Sequence, residues 1–314
     1  MECLNPINIK NPNLGKNPAL HLNTKSPYIQ VPCGKCPACL TQKRIDLVNR
    51  FKLEASAYDL NYFVTLTYDE INVPRLGERY PYDPISKVAP QLEIVSKTDL
   101  QKFFQDIRND FRRIYRPCWP LRYAFVSEYG PTTLRPHYHG IFFGLPPEWN
   151  AEILLQRFWS HGFVSVGLLD DGGSGYVGKY LYKKSYCPIE ADNFVGKNFS
   201  LMSRKPPIGT YGLSQQLIKY INDHGTRRVK IKHFGEIVVP YVLLSQFLSQ
   251  RQIQRLKAIE HVQSSRYNED KRSSMVAELG SEEAASRRIQ ILSEQKWIEL
   301  NDNINRSKKQ SKDL

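Results

Sequence analysis

The amino-acid sequence predicts an α+β fold, an antiparallel sheet with helices on one face, and three stretches carry that prediction. Tyr62-Phe63-Val64-Thr65-Leu66-Thr67-Tyr68 is an unbroken run of β-branched, aromatic and leucine residues, which suits a buried strand. Leu121 to Glu128 and His137 to Phe143 read as two strands joined by the turn Tyr129 to Pro136, hence an antiparallel hairpin. Between them, Leu100, Phe103, Phe104, Ile107, Phe111 and Ile114 recur at helical spacing, with Arg108, Arg112 and Arg113 on the other face. Sequential strands that can pair antiparallel, interleaved with helices, define the class.

The remaining elements follow in order. Residues 1–32 are rich in Asn, Pro and Lys without periodicity and read as an extended arm leading into Cys33-Gly34-Lys35-Cys36-Pro37-Ala38-Cys39. From Leu40 to Asp59, the positions Ile45, Val48, Phe51, Leu53 and Ala57 are loosely helical. A Pro- and Gly-broken stretch runs to about Val95, and Thr98-Asp99-Leu100-Gln101 has the form of a capping box that starts the next helix. Ala151 to Trp159 suits a helix and Phe163 to Leu169 a strand, while Asp170 to Gly175 is a polar turn. Arg227 to Lys232 reads as part of a basic hairpin that could contact DNA or simply be a solvated strand face. Beyond Pro240 the chain becomes helix-prone and charge-mixed, with 13 Lys/Arg against 10 Asp/Glu, fraying after about Asn301. The organisation is therefore an arm with a cysteine cluster over 1–40, a globular domain over 41–240 and a helical charged tail over 241–314.

Composition narrows the function. A chain of 314 residues with 41% hydrophobic content can bury a core, and a net charge of +13 at an ordinary 24% charged residues points to a polyanionic partner, nucleic acid first. No stretch reaches 18 apolar residues and the N-terminus lacks a basic region followed by an apolar one. Neither a membrane span nor a signal peptide is expected, and the protein is expected to stay in the cytosol.

The chemistry-bearing residues fall in three groups. In a strand, residues i and i+2 project from one face, so His137 and His139 present two imidazoles to one point while Tyr138 faces away. Glu128, at the end of the preceding strand, should approach His137 across the hairpin, and two imidazoles with a carboxylate leave open positions on a divalent ion. A merely structural histidine pair is the competing reading. His161, beside Trp159 at a helix end, reads as a cap or surface residue.

Tyr176 to Lys184 forms the second group. On a helix, Lys179, Tyr180, Lys183 and Lys184 fall within about 80° of Tyr176, while Val177, Leu181 and Tyr182 face the opposite arc. A phenol titrates near ~10 and needs activation to attack a phosphodiester at neutral pH; adjacent ammonium groups favour the phenolate and offset charge on the phosphate. The bland alternative is that Tyr176 and Tyr180 are surface or core aromatics in a chain with 18 tyrosines.

The third group is the cysteine cluster. Cys33, Cys36 and Cys39 are too closely spaced for separate disulfides, and Cys3 could complete a tetrahedral structural zinc site. An iron–sulfur cluster and a set of reduced thiols in a Gly/Pro turn are the alternatives. Cys118 and Cys187 look isolated.

Taken together, Arg135-Pro136-His137-Tyr138-His139-Gly140 and Tyr176-Val177-Gly178-Lys179-Tyr180 resemble the two defining motifs of the HUH endonucleases, specifically rolling-circle replication initiators with two tyrosines. Phe63 to Tyr68 resembles that family's first motif, and Cys33 to Cys39 with Lys205-Pro206-Pro207-Ile208-Gly209 resembles the gokushovirus branch of the microviruses, a similarity covering about residues 1–240. The resemblance implies a central antiparallel sheet with the histidine strand in its middle, metal ligation by His137 and His139, and nucleophilic Tyr176 and Tyr180 assisted by Lys179. It implies Mg²⁺ or Mn²⁺ as cofactor, with structural Zn²⁺ at the cysteines, and DNA backbone contacts from Arg135, Lys183 and Lys184. The implied activity is nicking of a viral origin with a 5′-phosphotyrosine link, a 3′-hydroxyl left for a host polymerase working with a host helicase, and rejoining of the displaced strand, in the bacterial host cytoplasm. A plasmid relaxase or transposase of the same superfamily, or a non-catalytic zinc-stabilised nucleic-acid-binding protein, are the alternatives.

Overall fold

A computed structural model describes residues 3, 5–18, 24–75, 92–115, 121–130, 132–146, 150–169 and 197–309. Its elements in chain order are β1 (Ile7–Lys10), β2 (Tyr28–Val31), α1 (Pro37–Ala55), β3 (Asn61–Thr67), α2 (Lys97–Tyr115), β4 (Arg122–Tyr129), β5 (Pro136–Phe143), α3 (Ala151–Phe158), β6 (Val164–Leu168) and β7 (Ser200–Met202). They continue with α4 (Gln215–His224), β8 (Arg228–Ile231), β9 (Gly235–Val238), α5 (Tyr241–Leu244), α6 (Gln250–Leu279) and α7 (Glu282–Lys309). The chain divides into two compact units, Met1–Asn49 with Leu213–Ile231 and Gly235–Gln310, and Arg50–Gly212 with the short Lys232–Phe234 and Ser311–Leu314 segments.

The second unit is the α+β body. Its five strands run β6-β3-β5-β4-β7, every described pairing antiparallel, so the histidine strand β5 is the middle of the sheet. One face is a continuous core. The apolar stripe of α2, Leu100, Phe103, Phe104, Ile107 and Phe111, meets Tyr123, Phe125, Tyr138 and Phe142 of the sheet, and α3 adds Leu154, Leu155 and Trp159. Phe104 stacks on Tyr123 at 3.7 Å between ring centroids. On the opposite face the last turns of α1 bring Phe51 to within 6.2 Å of Phe143, so helices cover parts of both faces rather than one. Gly140 has to be a glycine for packing reasons: it pairs with Phe125, and a Cβ there would meet that ring at 2.2 Å.

Two polar arrangements fix the sheet. The Tyr138 hydroxyl, fully buried, accepts from Ser96 N–H at 2.8 Å, donates to Ser96 O at 2.8 Å and lies 2.8 Å from the Tyr68 hydroxyl, which donates to Asp99 Oδ2 at 3.0 Å. Burial pushes both phenols far above their usual range and keeps them protonated. This pins β3 and β5 to the start of α2. The helix is capped earlier than the sequence suggested: Ser96 Oγ, not Thr98, accepts from Asp99 N–H at 3.2 Å. Elsewhere, Glu54 and Arg122 form a wholly buried ion pair at 2.5 Å, and both also bind the 205–209 stretch. Arg122 donates to Pro206 O and Pro207 O, and Gly209 N–H donates to the Glu54 carboxylate at 2.6 Å. The Lys-Pro-Pro-Ile-Gly segment is thereby clamped to the sheet.

In the first unit, residues 1–32 contain order that their composition did not announce: β1 and β2 pair from Ile7↔Val31 to Lys10↔Tyr28. β8 and β9 form the expected hairpin, but Arg227 just before it is committed to a bidentate pair with Glu260 at 2.7 and 3.0 Å. Arg228, Lys230 and Lys232 stay exposed. The tail is two long helices, α6 opening with a full Ser249/Gln252 capping box and ending at the left-handed Gly280, and α7 running on past Asn301 to Lys309. Among the described residues no helix is long and apolar enough to cross a membrane.

Removing one partner of the Glu54–Arg122 pair leaves a guanidinium charge in the core. Glu54→Gln is expected to destabilise the chain by about 3–5 kcal/mol. Glu283→Gln, which breaks an exposed pair with Arg287 on α7, should stay within about 1 kcal/mol. Urea denaturation followed by circular dichroism reads both.

Candidate metal centre and the sheet face around it

Because β5 is paired on both sides, its register sets which side chains share a face. His137 lies opposite Glu128 on β4 and Thr67 on β3, and Thr67 exchanges backbone hydrogen bonds with Phe163 at 2.9 and 3.1 Å. Directly opposed residues in antiparallel strands point to one side, so Phe163, Thr67, His137 and Glu128 form a row across four strands. The adjacent row is Ser165, Thr65, His139 and Val126. Tyr138, between the histidines, points into the core on the other side.

The three donor groups converge. Glu128 Oε2 is 3.8 Å from Nε2 of His137 and 3.8 Å from Nε2 of His139, and the ligand atoms of all three residues lie within 4.8 Å of one another. The two imidazoles stand 4.7 Å apart at 82°. Their remaining nitrogens are engaged in ways that fix the rings. His137 Nδ1 is 3.1 Å from Arg135 O, and since a carbonyl only accepts, Nδ1 carries the proton and Nε2 keeps its lone pair. His139 Nδ1 is 2.9 Å from Thr65 Oγ1, and Phe63 stacks against the same ring at 5.7 Å and 21°.

Burial holds His137 below the usual imidazole range; in His139 burial, followed by the proximity of His137, pushes the value down to about 3. Both rings are neutral at neutral pH, so the contacts to Glu128 are not ion pairs. They are two nitrogen lone pairs and a carboxylate aimed at one point. This donor set fits a divalent cation and leaves positions open for water or an oxygen ligand.

Arg135 sits two residues before His137, with its guanidinium bound to the Glu70 carboxylate and donating to Tyr68 O at 3.1 Å. Glu70 favours its charged form. His161 packs its ring against Trp159 at 5.1 Å and Tyr68 at 6.0 Å, on the core side of the sheet's end, consistent with a packing rather than ligating residue. Tyr176, Lys179, Tyr180, Tyr182, Lys183 and Lys184 lie outside the described residues, as do Cys118, Cys187 and the turn at 170–175. In the first unit, Cys3, Cys33, Cys36 and Cys39 form a second group able to hold a metal ion, again with ligand atoms within 4.8 Å.

Three residues of this face were not singled out from the sequence. Thr65 and Phe63 touch His139, and Phe163, 69% exposed, ends the histidine row. The signal for the first two is the alternation of Phe63-Val64-Thr65-Leu66-Thr67, in which the non-aliphatic positions share a side. Nothing local marks Phe163, whose position follows only from strand pairing.

Comparison with known proteins bears on this site. Residues 61–185 match the family of replication-associated proteins named after ORF2. The chain is 28% identical over 211 residues to Replication-associated protein ORF2 of Spiroplasma virus 4, covering 59% of this chain and 61% of that protein. It is 27% identical over 166 residues to Replication-associated protein VP4 of Bdellovibrio phage phiMH2K, covering 49% and 48%. Against Replication-associated protein ORF4 of Chlamydia phage 1 it is 26% identical over 201 residues, covering 58% and 45%. The matched regions thus span roughly half to three fifths of these relatives' lengths. No solved structure matches the chain. The resemblance to phage replication initiators, carried in the sequence by short motifs, extends across the strands that build this face.

His139→Ala is expected to abolish Mn²⁺ binding measured by calorimetry. Thr65→Val, which leaves the ligands but removes the group that orients His139, should weaken it about 10-fold or more while the fold stays intact.

Proposed function

We propose that this protein initiates rolling-circle replication of a single-stranded DNA phage as a site-specific, single-strand endonuclease of the two-tyrosine HUH type. The observation that carries the reading is the convergence of Glu128, His137 and His139 on the middle strand of an antiparallel sheet, in a chain similar to three phage replication-associated proteins.

In this reading Glu128, His137 and His139 hold Mg²⁺ or Mn²⁺, the first favoured by abundance and the second by imidazole ligation. The ion, when bound, supplies charge to polarise the scissile phosphate. The chain's own residues do the rest. Tyr176 or Tyr180, as phenolate, attacks the phosphorus; the bond to the 3′ oxygen breaks, the 3′-hydroxyl leaves with a proton, and the 5′ phosphate stays on the tyrosine. Lys179 favours the phenolate and, with Lys183, Lys184 and Arg135, offsets phosphate charge. The second tyrosine repeats the cut after one round of synthesis, and the freed 3′-hydroxyl attacks the first phosphotyrosine to close a circle. The bond energy is conserved, so no nucleotide cofactor enters. Residues 41–240 carry this chemistry. The partners are viral origin DNA and the host polymerase and helicase, in the bacterial cytoplasm.

The sheet face adds a substrate contact. Phe163 lies two strands from His137, roughly 10 Å at ordinary strand spacing, and its exposed ring offers a stacking surface for a base flanking the scissile phosphate.

Incubated with labelled single-stranded origin DNA and Mn²⁺, the wild type is expected to give a covalent adduct that survives denaturation. The Tyr176→Phe, Tyr180→Phe double variant should give none; an adduct that persists in it, or none from wild type, sinks the proposal. Separately, Phe163→Ala should weaken single-stranded DNA binding by about 5- to 100-fold and Phe163→Trp should restore it, read by fluorescence anisotropy with Mn²⁺ affinity unchanged.

A further inference from the structure

The four thiols of the first unit come from three separate places. Cys3 precedes β1, Cys33 follows β2, Cys36 stands just before α1 and Cys39 lies in its first turn. The β1–β2 pairing explains how they meet: with Ile7 opposite Val31, the two ends of the hairpin bring Cys3 beside Cys33. All four are free thiols, and their sulfurs lie within 4.8 Å of one another.

We infer that Cys3, Cys33, Cys36 and Cys39 bind a single zinc ion that staples the N-terminal hairpin to the start of α1. The inference stands apart from the nuclease reading. Four sulfurs at about 2.3 Å from a tetrahedral zinc are separated by about 3.8 Å, and Cys3 Sγ lies 3.8 Å from Cys36 Sγ. That separation is far too long for a disulfide, at about 2.05 Å. A group confined within 4.8 Å is also tighter than the sulfurs around a four-iron cluster.

The backbone is arranged for thiolates. Lys35 N–H and Cys36 N–H both point at Cys33 Sγ, at 3.5 and 3.3 Å, and Cys33 N–H points at Cys3 Sγ at 3.2 Å. Gly34 at φ +73° makes the turn that aims two successive N–H groups at one sulfur. Lys43 donates to Gly34 O at 2.9 Å, bringing a cation alongside a site that four thiolates and Zn²⁺ would leave at charge −2. Soft sulfur donors select zinc over the hard ions suited to the carboxylate and imidazole centre.

The hairpin also needs a staple. β1 shows only Ile9 partly covered and β2 only Ile29 and Val31, so burial of apolar surface cannot hold it. The small cluster around the thiols contains only Cys36, Ala38 and Cys39 with Cys3 and Cys33 against them. Metal binding, with thiol protons released to solvent, supplies the missing cohesion.

The test uses the full chain purified under reducing conditions and dialysed against EDTA, with metals counted by mass spectrometry. The wild type and His139→Ala should each retain one zinc per chain, while Cys33→Ser, Cys36→Ser should retain none. Replacing zinc by Co²⁺ in the wild type should give the near-ultraviolet charge-transfer band of a tetrahedral thiolate site, a readout that survives if the cysteine variant fails to fold. Stripping the metal with a stronger chelator should expose residues 1–32 to protease. Wild type free of metal with four freely reacting thiols, iron in place of zinc, or zinc lost with His139 instead of the cysteines would each overturn the inference. The covalent adduct with DNA is scored independently of all these outcomes.

Discussion

The pleat of β5 is the constraint on which the site depends. A strand paired on both sides must send alternate side chains to opposite faces. At 137–139 one of them, Tyr138, is fixed in the core by Ser96 and the Tyr68 hydroxyl. With Tyr138 held, His137 and His139 have no choice of side, and the register against β4 sets Glu128 opposite His137. A slip of one residue would bury both histidines and expose the tyrosine. The metal centre inherits its rigidity from hydrogen bonds on the far side of the sheet.

The same economy governs the electrostatics. Desolvation disfavours imidazolium, so burial alone keeps both histidines in the form that can ligate, and Arg135 O and Thr65 Oγ1 take up the nitrogens that do not face Glu128. The face divides in two along β5: toward Ile141 and Phe143 it is apolar, with Phe51 against Phe143, and toward His137 it is polar and bounded by the exposed Phe163. A charged strand of nucleic acid fits the second half and not the first.

Much of this was legible in the sequence because it is local. The His-x-His alternation, the hairpin that carries Glu128 across, and the aromatic stripe of α2 each follow from period and turn chemistry over a few residues. What escaped depends on distant pairing. β1 and β2 are short and polar, and their hairpin is visible only once Ile7 is set against Val31. β7 has three residues and exists because β4 offers an edge, Ala124 to Val126 against Met202 to Ser200. Ser96 displaces Thr98 as helix cap because the buried Tyr138 hydroxyl already binds the Ser96 backbone, fixing where the helix can begin. Lys205 to Gly209, legible only as a resemblance, is a structural clamp on Arg122 and Glu54.

The measurement that bears most directly on this account is electron spin-echo spectroscopy of the Mn²⁺-loaded protein. Nitrogen couplings from two imidazoles, reduced to one in either single histidine variant that still binds the ion, are the predicted result. Mn²⁺ bound without imidazole coupling, or couplings unchanged when His137 and His139 are both replaced, would contradict it.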